Sequence, residues 1–222
     1  MSQNDDIRAV VHPLYAVPLL ESHMPDAGPL NEALRQRFLA MEAQGDVHRD
    51  PVRRDTQYGL FESNFGLHTR PEPEIRRLCG FIDATLRQFI VNMSGFDARQ
   101  ASALQIEYHT WFHITRKGGY QGVHNHPNAA WSGIYCVDPG DPGDPGSNSG
   151  AVRFHDPRTG SDMYRDPTND HMQIPYRLGS WQLTHSPGKM LIFPSYLLHE
   201  IFPYTGSRPR IVVAFNAWHV RR

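Results

Sequence analysis

Two histidines stand one residue apart in GVHNHPNAAWSGIY, residues 122–135. If this stretch is a β-strand, the side chains of His124 and His126 point to the same face, because residues i and i+2 of a strand share a side. Two converging imidazoles are the beginning of a transition-metal site. The common facial iron site combines two histidines with a carboxylate, so a second histidine in this short pair requires an explanation.

A third metal ligand has to come from elsewhere in the chain, and His199 is the best candidate. It follows an apolar run and a Pro-Ser turn in GKMLIFPSYLLHEIFPY, residues 188–204, and it begins another strand-like run. Strands that are distant in sequence lie side by side in a jelly roll, so His199 can meet His124 and His126. Asp156 is the alternative carboxylate ligand, although its position before Pro157 favours a turn.

The last strand-like run, RIVVAFNAW, carries a candidate anion-binding residue. Alternation puts Arg210, Val212, Ala214 and Asn216 on one face of this run. A guanidinium among small apolar neighbours requires a carboxylate, which it can bind through two parallel hydrogen bonds. If the protein supplies none, a ligand does. Asn216 shares this face and is predicted to be a second cofactor-binding residue, and a ladder of buried polar contacts would explain it equally well.

The elements before residue 103 are mostly helical. Leu30, Leu34, Phe38 and Met41 form one stripe of an amphipathic helix within residues 29–45. A second helix is predicted from a capping box at Thr69 and Glu72 to its end at Ser94-Gly95. Residues 9–20 are predicted to be an edge strand because of their prolines, and residues 46–68 a loop.

After residue 103 the period of the pattern changes from helical to alternating. About nine short strand-like runs follow, HMQIPY (171–176) among them, with turns at Gly118-Gly119 and at the Pro-, Gly- and Asp-rich residues 138–150. Such spacing is typical of a sandwich or barrel. The predicted fold is therefore mainly β with N-terminal helices. We expect one domain over residues 1–222, in which a helical part of about residues 1–103 packs on a jelly roll of about residues 104–222.

The composition limits the classes of function. The formal net charge is -1 and the sequence pI is about 6.9, which argues against nucleic-acid binding through a basic field. Two cysteines form no disulfide framework, and with no signal-peptide pattern at the N-terminus they favour a reduced, cytoplasmic protein. No apolar run has the length of a membrane span. Thirteen histidines in 222 residues strengthen the case for metal or acid–base chemistry.

Four stretches together resemble the iron(II)- and 2-oxoglutarate-dependent oxygenases, and especially a bacterial and phage family with unassigned substrates. They are HNHPNAAWSGIYCV, GAVRFHDP, FPSYLLHEIFP and RPRIVVAFNAW. The resemblance implies a double-stranded β-helix of the cupin-like kind, with Fe(II) and 2-oxoglutarate as cofactors. It implies that His124 and His199 are the two histidine ligands and that His126 occupies the position of the carboxylate. Arg210 matches the arginine that binds 2-oxoglutarate, and Arg208 is a fallback.

Two other functions stay open at this point. A three-histidine dioxygenase or hydrolase would ignore 2-oxoglutarate and use Arg210 to hold a carboxylate of its substrate. A metal-binding or sugar-binding jelly roll would have no catalytic activity, since one fold serves many functions. The sequence leaves the substrate unidentified, small molecule or macromolecule, and it leaves the oligomeric state open, with a homodimer as one option.

Overall fold

A computed structural model describes residues 9–50, 55–161, 163–164 and 166–220 of the chain. Its helices are α1 (Ala27–Ala43), α2 (Pro73–Ser94) and the short α3 (Ala98–Ser102). Single 3-10 turns occur at Gly45–His48, Leu67–Thr69 and Asn169–His171. None of the helices in these residues has the length and apolar character needed to cross a membrane.

Nine strands of the described residues form one antiparallel, curled sheet with the neighbour order β1-β7-β4-β9-β3-β8-β5-β6, and β2 also pairs with β3. The strands are β1 (Leu20–His23), β2 (Gln57–Glu62), β3 (Ile106–His124), β4 (Trp131–Asp138), β5 (Val152–Phe154), β6 (Trp181–Leu183), β7 (Lys189–Pro194), β8 (His199–Ile201) and β9 (Arg210–His219). This arrangement confirms the predicted mainly β, double-stranded β-helix fold.

Strand β3 connects the two halves of the curled sheet. Its first part, Ile106 to Thr115, pairs with β9, and its end pairs with β8 through Gln121 and His124. The prediction that Gly118-Gly119 turns the chain is wrong, since β3 runs through both residues. Gly118 has a φ of 84°, and the register against β2 shifts around this point. The glycines therefore accommodate a bulge, which re-aims the strand toward β8.

Two apolar clusters hold the helices and the sheet together. The larger cluster packs α1 and α2 on the outer face of the sheet, and it contains Ile211, Val213 and Phe215 of β9. The predicted stripe of α1 is buried in it. The smaller cluster lies between the two halves of the sheet and contains Val212 of β9 together with Phe154 of β5. Residues of β9 thus alternate between two cores, as the sequence predicts for a strand covered on both faces.

Four further local predictions are wrong. Residues 9–19 form no strand in the described chain, and the edge strand β1 begins only at Leu20, after both prolines. Residues 46–68, predicted to be a loop, contain β2, which is held by pairing with β3. Helix α2 begins at Pro73, while Thr69 bonds the Gly66 carbonyl in a 3-10 turn. The stretch 171–176 forms no strand and follows a 3-10 turn instead.

Candidate active site

The three predicted metal ligands lie together at the end of the sheet. His124 is the last residue of β3 and is paired in register with His199, the first residue of β8. His126 lies in the loop after β3, where its backbone N–H donates to the carbonyl of Ser195. The ligand atoms of the three imidazoles all lie within 4.8 Å of one another. This spacing lets one metal ion contact all three rings.

Backbone carbonyls orient two of these rings. Nδ1 of His124 lies 2.7 Å from the Gly122 carbonyl oxygen, and Nδ1 of His199 lies 2.9 Å from the Leu197 carbonyl oxygen. Because a carbonyl only accepts, each Nδ1 carries the proton and donates it, which places the ring lone pair on Nε2. Histidines that bind metals are held in this way by a hydrogen bond on the other nitrogen.

Burial of His199 favours the neutral form of its imidazole. Its side chain is only 2 % exposed. Burial, and then the charge that His124 would carry, hold the pKa of His199 well below its ordinary value. Since metal ions bind neutral imidazole, the lowered pKa of His199 favours metal binding.

Asn216 of β9 touches the third histidine. Its Nδ2 lies 3.3 Å from Nδ1 of His126, and its Oδ1 accepts a hydrogen bond of 2.7 Å from the Ser132 hydroxyl. The Ser132 hydroxyl is also 2.7 Å from that of Ser195. Asn216 is therefore connected to a candidate metal ligand and to a buried polar chain.

Arg210 lines the same pocket as the three histidines. Its side chain is 3 % exposed, and its Nη2 has no hydrogen-bond partner among the described residues. No carboxylate in this part of the chain lies at ion-pair distance from it. Burial lowers the pKa of Arg210, but a guanidinium stays protonated in proteins. A buried positive charge without a counter-ion is costly, so the site is prepared for an anionic ligand.

The alternatives considered for these roles are engaged elsewhere. Arg208, the fallback, contacts Asp138 and the Gly140 carbonyl oxygen. Asp156 accepts hydrogen bonds from Arg158 and from the Gly179 backbone. Burial acts to raise the pKa of Asp156, but the bonds from Arg158 and Gly179 outweigh it and lower the pKa to about 2. Asp156 therefore has a turn role, as the sequence favours.

One buried polar pair beside the site was missed by sequence reasoning. Glu62 of β2 lies opposite His113 of β3, with 2.7 Å between Oε2 and Nε2. His113 lines the pocket. Its Nε2 also lies 3.1 Å from the indole nitrogen of Trp111, which donates to it. The sequence carries no local signal for Glu62, since its position depends on the pairing of β2 with β3 across about fifty residues.

A larger cavity of about 390 Å³ lies next to the site. Its apolar walls include Phe154, Trp181, Leu183 and Leu197, and Arg177 lies over the Trp181 ring at 5.3 Å. Phe154 also contacts the His199 ring, with 5.9 Å between the ring centroids. A wall residue of the cavity thus contacts one histidine of the cluster.

One family model matches the part of the chain that contains this candidate site. Residues 109–216, which contain the three histidines as well as Arg210 and Asn216, match the family model described as "Putative 2OG-Fe(II) oxygenase". This segment belongs to the 2OG-Fe(II) oxygenase family. The matched segment is accordingly that of an oxygenase of the kind that uses Fe(II) and 2-oxoglutarate. Comparison with curated proteins found no match.

Solved structures of oxygenases have the same fold. A Pseudomonas putida prolyl-4-hydroxylase aligns with a TM-score of 0.60 and 16% identity over 92% of each chain. A Trichoplax adhaerens prolyl hydroxylase, in complex with a peptide fragment of hypoxia inducible factor, aligns with a TM-score of 0.60 and 14% identity over 90% of this chain and 83% of that chain. HygX of Streptomyces hygroscopicus was solved with nickel, 2-oxoglutarate and hygromycin B bound. It aligns with a TM-score of 0.54 and 10% identity over 91% of this chain and 83% of that chain.

Proposed function

We propose that this oxygenase is a hydroxylase in which His124, His126 and His199 hold Fe(II) and Arg210 binds the distal carboxylate of 2-oxoglutarate. One observation carries the proposal: a single pocket is lined by three converging imidazoles and by a buried guanidinium that has no counter-ion among the described residues. The donor set suits a borderline divalent metal, and the guanidinium suits a dicarboxylate. When both cofactors are bound, they supply O2 activation, which oxidises 2-oxoglutarate to succinate and CO2 and hydroxylates the substrate.

The chain's own residues fix and protect this chemistry. The Gly122 and Leu197 carbonyls hold two rings in the Nε2 lone-pair form. The apolar side chains of Ile134, Val212 and Phe193 line the pocket and exclude water, so the Arg210 charge acts in a low dielectric. Three neutral histidines donate no negative charge to the metal, which leaves it more electrophilic than a site with one carboxylate.

Spectroscopy of the oxygen-free protein tests this proposal. Protein with both Fe(II) and 2-oxoglutarate should give a visible charge-transfer band, because the keto acid chelates the iron. Protein with only one of the two should not give this band. After equilibrium dialysis against Fe(II), the protein should contain one iron ion per chain. Bound iron without the band on addition of 2-oxoglutarate would contradict this function and favour the three-histidine enzyme that ignores 2-oxoglutarate.

The substrate in this proposal occupies the larger cavity. Its volume of about 390 Å³ lies in the range of small-molecule sites, which is roughly 300–1,000 Å³. Its aromatic and aliphatic walls favour a substrate with an apolar part. The structurally similar proteins include prolyl hydroxylases and a protein with bound hygromycin B, so the fold does not choose between substrate classes.

Asn216 sets the tautomer of His126 in this proposal. Metal binding at Nε2 of His126 requires the proton on Nδ1, and the Asn216 amide can accept that proton only through its oxygen. The amide therefore has to turn by 180° from the orientation in which Nδ2 is nearest to Nδ1. The Ser132 hydroxyl then accepts from the amide nitrogen and donates to Ser195.

The variants Asn216→Leu and Asn216→Asp test this role. Loss of such an outer hydrogen bond typically costs about 10- to 100-fold in metal affinity, so we expect Asn216→Leu to weaken Fe(II) binding by that factor. Asn216→Asp retains an acceptor for Nδ1–H and should bind Fe(II) nearly as the wild type does. A chelator-competition titration measures both affinities. Equal losses in the two variants would show that Asn216 acts through packing alone.

A further inference from the structure

His185 is a half-buried histidine that the proposed mechanism leaves unused. It follows strand β6 by two residues. Both of its ring nitrogens are buried without a hydrogen-bond partner among the described residues. In folded proteins a buried imidazole rarely lacks a partner on both sides, because each unmade bond costs about 1–3 kcal/mol. A group left in this condition is a candidate for contact with a ligand.

The fold brings His185 toward Arg210. Leu183 of β6 pairs with Val152 of β5, so the residues just after β6 run beside those just before β5. Gly150, which precedes β5, packs against the Arg210 side chain, where an added Cβ would lie 2.9 Å from Cδ and 3.0 Å from Nε. Continued by two residues, the register of β5 and β6 brings His185 beside Gly150, against which Arg210 packs.

Electrostatics agree with this placement. Burial holds the pKa of His185 well below its ordinary value, and the charges of Arg210 and then Lys189 lower it further. Lys189 is itself engaged, since its Nζ contacts Glu21 and the Thr184 carbonyl. The neutral form of His185, with one N–H donor, is thus favoured near a guanidinium whose Nη2 has no hydrogen-bond partner among the described residues.

We propose that His185 is a second donor to the distal carboxylate of 2-oxoglutarate, beside Arg210. The inference rests on the function proposed above. A carboxylate has two oxygens with about four acceptor sites, so it can take both the guanidinium and one imidazole N–H. Its arrival would satisfy two groups that are otherwise buried without an acceptor. Fixed donors of this kind select a dicarboxylate over a monocarboxylic keto acid.

Binding measurements with two keto acids test the role of His185. In oxygen-free protein loaded with Fe(II), we expect His185→Leu to weaken 2-oxoglutarate binding by about 10- to 100-fold, the usual range for a hydrogen bond to a charged group. Pyruvate has no distal carboxylate, so its dissociation constant should not change. His185→Gln keeps an N–H donor and should lie close to the wild type. The control is His171→Leu, because His171 is exposed on a 3-10 turn.

Thermal unfolding without cofactors gives an independent readout. Because His185→Leu removes two unsatisfied polar atoms, the melting temperature of the cofactor-free protein should not fall. A histidine with a structural role alone would show a lower melting temperature and an unchanged preference for 2-oxoglutarate over pyruvate. In the wild-type protein, 2-oxoglutarate should also shift the imidazole resonances that His185→Gln assigns to His185, even if His185→Leu does not fold.

The outcomes separate this inference from the proposed function. If wild-type protein with bound Fe(II) does not bind 2-oxoglutarate, the proposed function fails before any variant is made. If the wild type binds it but His185→Leu binds it equally well, only the role of His185 is overturned. Equal losses for 2-oxoglutarate and pyruvate would also overturn that role.

Discussion

The variant His199→Ala is expected to lose more than about 100-fold in Fe(II) affinity. Changes in the groups that orient a metal ligand typically cost about 10- to 100-fold, so loss of a ligand should exceed that range. The His199 ring is the one most fully buried of the three, and its centroid lies 4.3 Å from that of His124. Its removal leaves two donors and a cavity between them. Metal analysis after dialysis, with chelator competition, measures the loss.

His155→Ala is the matched control for this variant. His155 follows β5 and lies near β8, but its Nε2 contacts Glu200 at 3.0 Å and it is not part of the three-histidine group. Its replacement should leave the Fe(II) affinity within about threefold of the wild type, as expected for a side chain outside the coordination shell. Equal losses in His155→Ala and His199→Ala would mean that β5 and β8 are disturbed as a unit.

The same titration decides the role of His126. If His126 is a ligand, His126→Ala should lose about as much Fe(II) affinity as His199→Ala does. His126→Asp should restore Fe(II) binding, because a carboxylate is the common third ligand of such sites. A His126→Ala protein with wild-type affinity would leave the metal with two histidines. The proposed coordination would then be wrong, while the assignment to the oxygenase family would be unaffected.

Most of the correct predictions came from the alternation of side chains between the two faces of a single strand. The faces of β9 follow directly from a period of two, and they put Arg210 and Val212 inside and Ile211 outside. The same period predicted that His124 and His126 share a strand face, but β3 ends at His124, and His126 is positioned by the loop that bonds Ser195. The opposition of His124 and His199 could not be predicted in this way, because it depends on the register of two strands that are distant in the chain.

The errors occur where pairing overrides local composition. Strand β2 has a polar, glycine-containing sequence and exists because β3 offers it a partner. Its burial of Glu62 against His113 therefore had no local signal. His185 has no local signal for a related reason: that its ring nitrogens lack partners among the described residues is visible only when the neighbouring elements are in place.

Arg210→Met is expected to weaken 2-oxoglutarate binding by about 100-fold or more. Truncating one partner of a buried, hydrogen-bonded charge pair commonly costs 2–5 kcal/mol, and each 1.4 kcal/mol is a factor of ten. Methionine has a similar length and no charge, so the pocket keeps its apolar filling. The Fe(II) affinity should not change, since Arg210 is not among the grouped metal-binding side chains. Calorimetric titration of the iron-loaded, oxygen-free protein measures the effect.

Two further variants separate charge from geometry. Arg210→Lys keeps the positive charge but loses the planar fork that contacts both oxygens of a carboxylate, so its affinity should lie between those of the wild type and Arg210→Met. Arg208→Met is the matched control. Arg208 is two residues away in sequence, but it is half exposed and contacts Asp138, so its loss should leave 2-oxoglutarate binding unchanged.

Arg210→Met should lower the affinity for 2-oxoglutarate but raise the stability of the cofactor-free protein. A buried guanidinium with an unpartnered nitrogen destabilises the folded state, and methionine removes that cost, so Arg210→Met should melt at a higher temperature than the wild type. Weaker binding combined with a higher melting temperature would mean that Arg210 is kept for its ligand. If wild-type protein binds no 2-oxoglutarate and Arg210→Met still melts higher, the buried charge serves another carboxylate, and a substrate acid becomes the ligand to search for.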